Sequence, residues 1–294
     1  ERDFPATHTV KLEQNYRSTS NILLAANAVI AKNSERLGKS LWTDSGDGEP
    51  IALYAAFNEH DESRYIADRL QSWVNDGNRR EDAAILYRSN AQSRVLEAAL
   101  LQAEIPYRIY GGQRFYERLE IKNALSYLRL ILNCHDDVAF ERVVNVPPRG
   151  IGDRTLEAVR ELSRTNTTSL WTAASVLVDE KRLAARASNA IAGFLQLINE
   201  MSGQLDELPL PEQAEQAIEH SGLIEMHRRE KGERGQARVE NLEELVGACR
   251  NFEAEDRDLP VLPQFLDQVA LDSGDRQADE DQDAVQLMTL HSAK

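Results

Sequence analysis

The 294-residue sequence has two cysteines, Cys134 and Cys249, too few for a disulfide framework or a four-cysteine zinc site. It has no apolar run near the ~20 residues that a membrane helix needs, and its start, Glu1-Arg2-Asp3, is acidic and polar, unlike a signal peptide. No Gly-x-x-x-x-Gly-Lys-Ser/Thr occurs, so a loop of that type is not there to cradle β- and γ-phosphates. Its acidic runs lack EF-hand spacing. A soluble, cytoplasmic, membrane-free protein without its own metal site is expected. Positive charge is also in short supply. Against 49 Asp+Glu stand 34 Lys+Arg, a net of −15, and at face value this argues against a nucleic-acid partner, because such proteins carry a basic footprint.

Net charge is a sum, and here it is uneven. About nine of the excess negative charges lie in residues 251–284, while residues 111–170 are slightly positive. The acidic stretch, with Asp279-Glu280-Asp281 and Asp283, reads as solvated linker around a short apolar helix near Phe265-Leu266 to Val269-Leu271.

With 41% hydrophobic residues the chain can build real cores, and two patterns divide it. Up to about Tyr110, short apolar runs alternate with helical periodicity, the signature of βαβ units and a mostly parallel sheet. Strand candidates are Thr9 to Leu12, Ile51 to Ala55, Ala83 to Tyr87 and Tyr107 to Tyr110. Ser18 can cap a helix whose Ile22, Leu23, Ala26, Val29 and Ile30 share a face, and Asp61 to Val74 and Ala91 to Ala103 fill the next crossovers. Asp76-Gly77-Asn78 suits a helix stop. After Gly111-Gly112 the spacing turns helical, from Ile121, Leu125, Leu128 and Leu132 through Ala139–Val144, Leu156–Leu162, Leu183–Ile198, Ala214–Ile218 and Val239–Phe252. Val285 to Leu290 then restores a strand. A strand with no following helix is best placed back in the first sheet, which makes residues 111–283 an insertion in an α/β domain. The abrupt end at Lys294 suggests a longer parent protein.

Four stretches could carry chemistry. Leu12-Glu13-Gln14-Asn15-Tyr16-Arg17-Ser18 leaves a strand and enters a helix, the place where open α/β sheets bind ligands; an Arg there can grip a phosphate and a Tyr can stack on a base. An Arg in such a turn is more often a plain surface residue. Gly111-Gly112-Gln113-Arg114-Phe115 through Ile121-Lys122 fits, on physical grounds alone, a glycine hinge before a helix with solvated charges. Pro147-Pro148-Arg149-Gly150-Ile151-Gly152-Asp153-Arg154-Thr155 lies between two helical stretches. Its glycines let backbone amides approach a ligand, the next helix start supplies free N–H groups, and two arginines flank them. It resembles the helix-hairpin-helix family of nonspecific DNA binders, whose Gly-hydrophobic-Gly turn grips a backbone; an ordinary tight turn with Asp153 as N-cap is the alternative. The last is Leu287-Met288-Thr289-Leu290-His291-Ser292-Ala293-Lys294, where a His after a strand is usually structural.

Taken in order, the four stretches resemble motifs IV, IVa and V and the hairpin of superfamily 1 DNA helicases of the UvrD/Rep/PcrA type, over essentially the whole chain. Tyr116 and Asn123 stand where family members often have Phe and Asp. The resemblance implies a partial RecA-like parallel-sheet domain of the P-loop NTPase type (2A), lacking the P-loop half and built from residues 1–110 and 284–294. It also implies an inserted all-α domain (2B) over 111–283. It implies that Tyr16 stacks on the adenine of ATP and that Arg17, the catalytic candidate, reaches the γ-phosphate. Thr289 and His291 would lie along single-stranded DNA. Lys122, Arg149, Gly150, Ile151, Gly152, Arg154 and Thr155 would contact duplex DNA ahead of the fork. The intact parent would be an ATP- and Mg2+-dependent 3′→5′ DNA helicase of repair or replication, with DNA and repair proteins as partners. This piece alone would bind neither cofactor tightly and would not hydrolyse ATP. A different reading makes the helical domain a regulatory or protein-docking module with a purely structural hairpin. The crossings at Gly111-Gly112 and in the acidic run are expected to act as hinges.

Overall fold

A computed structural model describes residues 10–33, 38–204, 208–256, 258–274, 278 and 281–293. Glu1-Arg2-Asp3, Thr9, Asp279-Glu280 and Lys294 lie outside the described residues. The chain separates into two compact units, one up to Phe57 and one from Asn58 on.

In the first unit, helix α1 (Ser20–Ile30) is preceded by Thr19 in extended conformation, so the N-cap is Thr19 rather than Ser18, and it makes no side-chain cap bond. Of the expected apolar face only Leu23 is buried; Ile22, Val29 and Ile30 are exposed. The expected strands near residues 10–12 and 51–55 are absent as ladders among the described residues: Gln14 and Trp42 form an isolated parallel bridge, and residues 51–56 have no regular secondary structure and are exposed. A strand needs a neighbour for its N–H and C=O groups, and no described strand lies beside this one.

The second unit begins with α2 (Glu59–Asn75), capped where the Asn58 side chain accepts from the Asp61 amide at 2.8 Å. It stops at Asp76-Gly77, Gly77 standing at φ +90°, as the turn chemistry requires. Strand β1 (Ala84–Tyr87), α3 (Ser93–Gln102) and β2 (Tyr107–Tyr110) follow. The capping box of Ser89 and Gln92 launches the turn before α3. Then come the helices α4 (Leu119–Leu132), α5 (Asp137–Val143), α6 (Asp153–Asn166), α7 (Leu170–Asp179), α8 (Ala185–Ser202), α9 (Leu210–Ser221), α10 (Leu223–Arg228), α11 (Glu233–Asn251) and α12 (Val261–Gly274), and last β3 (Val285–Thr289). Periodicity anticipates most of these. It misses α7, apolar on most of its surface with Leu170, Trp171, Ala173, Ala174 and Leu177 buried, and the short α10.

The last strand enters the sheet between the two earlier ones. The order is β1-β3-β2, all parallel, with Ile85 opposite Leu287 and Ile109 opposite Leu287 on the other side. Val285 and Leu287 are fully buried with Ile85, Tyr87, Leu100, Tyr107 and Ile109. Without residues 285–289, β1 and β2 have nothing between them, so this small α/β core depends on chain segments about 200 residues apart in sequence, a separation of the kind spanned by the Arg80–Asp283 contact. A second, larger core is built mostly from helices, around Tyr127, Phe140, Phe194, Ile198 and Leu245. The fold is thus mostly helical with a three-stranded parallel sheet, in keeping with an α/β fragment.

Candidate nucleotide and DNA contact sites

In the first unit the Tyr16-Arg17 turn is shaped by Asn15. Its side-chain oxygen accepts from the Arg17 amide at 2.9 Å and the Ser18 amide at 2.8 Å, an Asx turn that fixes the backbone ahead of α1. The Asn15 amide in turn donates to Trp42 O at 2.7 Å. Tyr16 is 82% exposed, its hydroxyl donating to Gln14 Oε1 at 2.8 Å. Arg17 is exposed, and its guanidinium makes no hydrogen bond or ion pair among the described residues. An exposed ring beside an unspent guanidinium on a fixed turn suits base stacking and phosphate capture.

In the second unit, the parallel strands end on one edge of the sheet. Thr289 Oγ1 accepts from the Ser292 amide at 3.2 Å and shapes a turn that leaves His291 exposed. Gly111, next to β2, stands at φ +75°, and a Cβ there would come within 2.6 Å of Ser292 Oγ. Only glycine fits so close an approach. Arg88, one residue beyond β1, is exposed on the same edge and was not anticipated.

The segment after Gly111-Gly112 differs from its sequence reading. Arg114, Arg118 and Glu120 are buried rather than solvated. Arg118 donates to Asn90 O at 2.7 Å, Ser93 Oγ at 2.7 Å and Asn241 Oδ1 at 2.9 Å, and Asn241 donates to Glu120 at 2.6 Å. Glu97 accepts from Ser93 Oγ at 2.6 Å and from the Phe115 amide at 3.3 Å. Burial raises the Glu97 carboxyl above the ordinary carboxylate range, against the pull of Ser93 and the arginines, and burial lowers Arg118 despite Glu97. These bonds tie the stretch just after the two glycines to the segment after β1 and to α11.

The Gly150–Gly152 hairpin lies between α5 and α6. Asn145 Oδ1 accepts from the Arg149 amide at 2.8 Å and the Ile151 amide at 3.3 Å, and the Ile151 side chain is buried. Gly150 sits at φ +79°, where glycine is favoured. Gly152, not Asp153, is the N-cap of α6, without a side-chain cap bond, so the first amides of that helix have no side chain on them. Arg154 is exposed and makes no bond or ion pair among the described residues, and Thr155 is half-buried beside it. Two of the expected contact residues are directed into the fold. Ile151 is turned into the core and its amide is spent on Asn145, because the turn needs an anchor. The Arg149 guanidinium also points inward, donating to Val143 O at 3.2 Å, Pro147 O at 3.1 Å, Tyr127 Oη at 2.7 Å and Ser221 O at 3.1 Å. Both terminal nitrogens of the fork are thereby engaged within the fold. Lys122 is exposed on α4.

Residues 10–294 match the family model of the UvrD-like helicase C-terminal domain. The chain belongs to this family. Within it, the chain is 60% identical to the DNA helicase II of Escherichia coli (strain K12), covering 99% of this chain and 41% of that protein. It is 54% identical to the DNA helicase II of Haemophilus influenzae and 42% identical to the ATP-dependent DNA helicase PcrA of Bacillus subtilis, each over 100% of this chain and 40% of the relative. The chain therefore spans about two fifths of the length of these relatives. Among the described residues no cluster of three or more His, Cys, Asp or Glu could hold a metal ion, and no helix is long and apolar enough to cross a membrane.

Proposed function

We propose that this UvrD-like helicase C-terminal chain is the part of an ATP-dependent 3′→5′ DNA helicase that completes the nucleotide cleft and grips DNA. In that reading residues up to about 110 with 284–294 are the RecA-like 2A domain, and 111–283 the 2B domain. Tyr16 stacks on adenine, and Arg17 reaches the γ-phosphate, so that hydrolysis breaks a contact and loosens domain closure. ATP and Mg2+ belong to the intact motor; with no P-loop among its own residues, this chain alone does not hydrolyse ATP. Thr289 and His291 follow the single strand, while Lys122, Gly150, Gly152, Arg154 and Thr155 meet the duplex. Repair proteins are further partners of the intact helicase, which works in the cytoplasm.

The observation that carries the DNA reading is Gly152. It stands at φ −85° and ψ 165°, where any residue is at ease, and a Cβ on it would meet nothing within 4 Å. Glycine is at home at an N-cap, but the fold leaves room there for the larger capping residues as well. A ligand backbone drawn close to the amides that open α6 would favour glycine, since any side chain would fill that space. Gly152→Val in the full-length protein is therefore expected to lose only about 1 kcal/mol of stability, the cost of a poorer N-cap, while losing roughly tenfold or more in duplex affinity, a change of about 1.4 kcal/mol or more. Unchanged, or salt-insensitive, duplex binding would instead favour a docking module with a structural hairpin.

A further inference from the structure

The inward turn of Arg149 leaves the hairpin without the cation expected beside Gly150, and the fold supplies another. Arg186, in the first turn of α8, brings its guanidinium to Gly150: a Cβ placed there would lie 3.6 Å from Arg186 Nη2 and 3.9 Å from Nε. Arg186 is exposed, and it makes no hydrogen bond or ion pair among the described residues. Arg149, 37 positions earlier by its numbering, is held on every side instead. Its guanidinium carbon lies 5.3 Å from the Phe194 ring centre and 5.8 Å from that of Tyr127, close enough for cation–π attraction. Its four acceptors come from the end of α5, the hairpin itself, α4 and the end of α9. The Tyr127 hydroxyl that accepts from Arg149 donates onward to Val146 O at 2.6 Å. Each of these bonds fixes a point of the loop that leads into Gly150.

We propose that Arg149 is a positioning residue that sets the Gly150–Gly152 turn from inside, and that Arg186 is the cation this site presents to a DNA backbone phosphate. The proposal rests on the duplex-binding reading given above. It makes the two arginines separable by charge bookkeeping. A cation that neutralises a phosphate releases counterions, so its loss lowers the slope of log affinity against log salt by about 0.9. A half-buried arginine that only aims neutral amides releases none, and its loss weakens binding at unchanged slope.

The test uses the full-length protein carrying this sequence, with NaCl titrations of fluorescence anisotropy on a duplex bearing a 3′ single-stranded tail and on the tail alone. Arg186→Gln should lower the slope on the tailed duplex by about 0.9 and leave the tail alone unaffected. Arg149→Gln should weaken the tailed duplex roughly tenfold at unchanged slope, again sparing the tail. Tyr127→Phe, which keeps Arg149 but removes the hydroxyl between it and Val146, should act in the same direction as Arg149→Gln, and with Arg186→Gln it decides the matter if Arg149→Gln does not fold. A slope loss on Arg149→Gln, or none on Arg186→Gln, overturns the assignment. So does normal duplex affinity in a folded Arg149→Gln protein of lower melting temperature, the mark of a merely structural arginine. If the unmutated protein binds the tailed duplex no better than the tail, the duplex-binding reading itself fails, and the proposal with it.

Discussion

Arg118 Nη1 donates to Asn241 Oδ1 at 2.9 Å across 123 positions of sequence. The bond ties the turn after β2 to the middle of α11, and through Asn90 and Ser93 the same guanidinium reaches the segment after β1. One buried side chain thus pins the helical body to the sheet core within the second unit.

Replacing Arg118 by Met should be costly, because it leaves Asn241, Ser93 and the Asn90 carbonyl without their donor and Glu97 with Arg114 but not Arg118 beside it. A loss of about 3 kcal/mol or more is expected from urea unfolding. A change below about 1 kcal/mol would show that water or rearrangement replaces these bonds readily.

Gly111→Ala should also destabilise, by about 1–2 kcal/mol for its positive φ alone, with further cost from the clash with Ser292 Oγ. Adding Ser292→Gly should recover the clash component and leave the backbone component. Equal stability of the single and double variants in thermal melts would exclude the clash.

Asp283 accepts from the Glu81 amide at 2.9 Å and from Arg80 at 3.3 Å. The Glu81 amide first, then the Arg80 contacts, hold its carboxyl below the ordinary value. A depressed folded-state pKa gives stability that is present above the unfolded value, about 3.9, and is lost as pH falls through the folded one. Asp283→Asn should therefore be less stable than the unmutated chain at neutral pH, with the gap closing below about pH 4. A gap that persists at pH 2 to 3 would assign the loss to shape, not charge.

For the nucleotide reading, Arg17→Ala in the full-length protein should lower DNA-stimulated ATP hydrolysis about a thousandfold or more, the usual worth of an arginine aimed at a γ-phosphate. Single-strand affinity should be unchanged, since Arg17 is proposed to meet no DNA. Hydrolysis near normal in a phosphate-release assay would remove Arg17 from the cleft.

Several features were legible in one dimension. The hairpin of glycines at Gly150 and Gly152, the exposed Tyr16-Arg17 turn and the helical stretches with clear 3.6-residue spacing are local facts, set by backbone preference and by which residues recur on one face. Even the return of Val285–Thr289 to a sheet could be reasoned out, because an apolar strand must pair and the earlier segment held the available partners. Its place between β1 and β2 could not, since strand order depends on which edges the helices leave open.

Charge roles were where linear reading failed. Arg114, Arg118 and Glu120 look like solvated helix charges, and nothing along the chain shows that the Arg149 guanidinium turns inward, because sequence shows the charge but not its direction. Burial of a guanidinium is tolerable only when distant groups converge on it, and those groups, Asn241 for Arg118, and Tyr127 and Ser221 for Arg149, come from elements far away in sequence. The amino-acid sequence by itself determined the family, the helical and strand content of the clearest segments and the presence of a Gly-Ile-Gly turn. Only the tertiary structure decided which arginines hold the protein together and which, like Arg154 and Arg186, are left facing outward, because that choice is made by packing across the whole second unit.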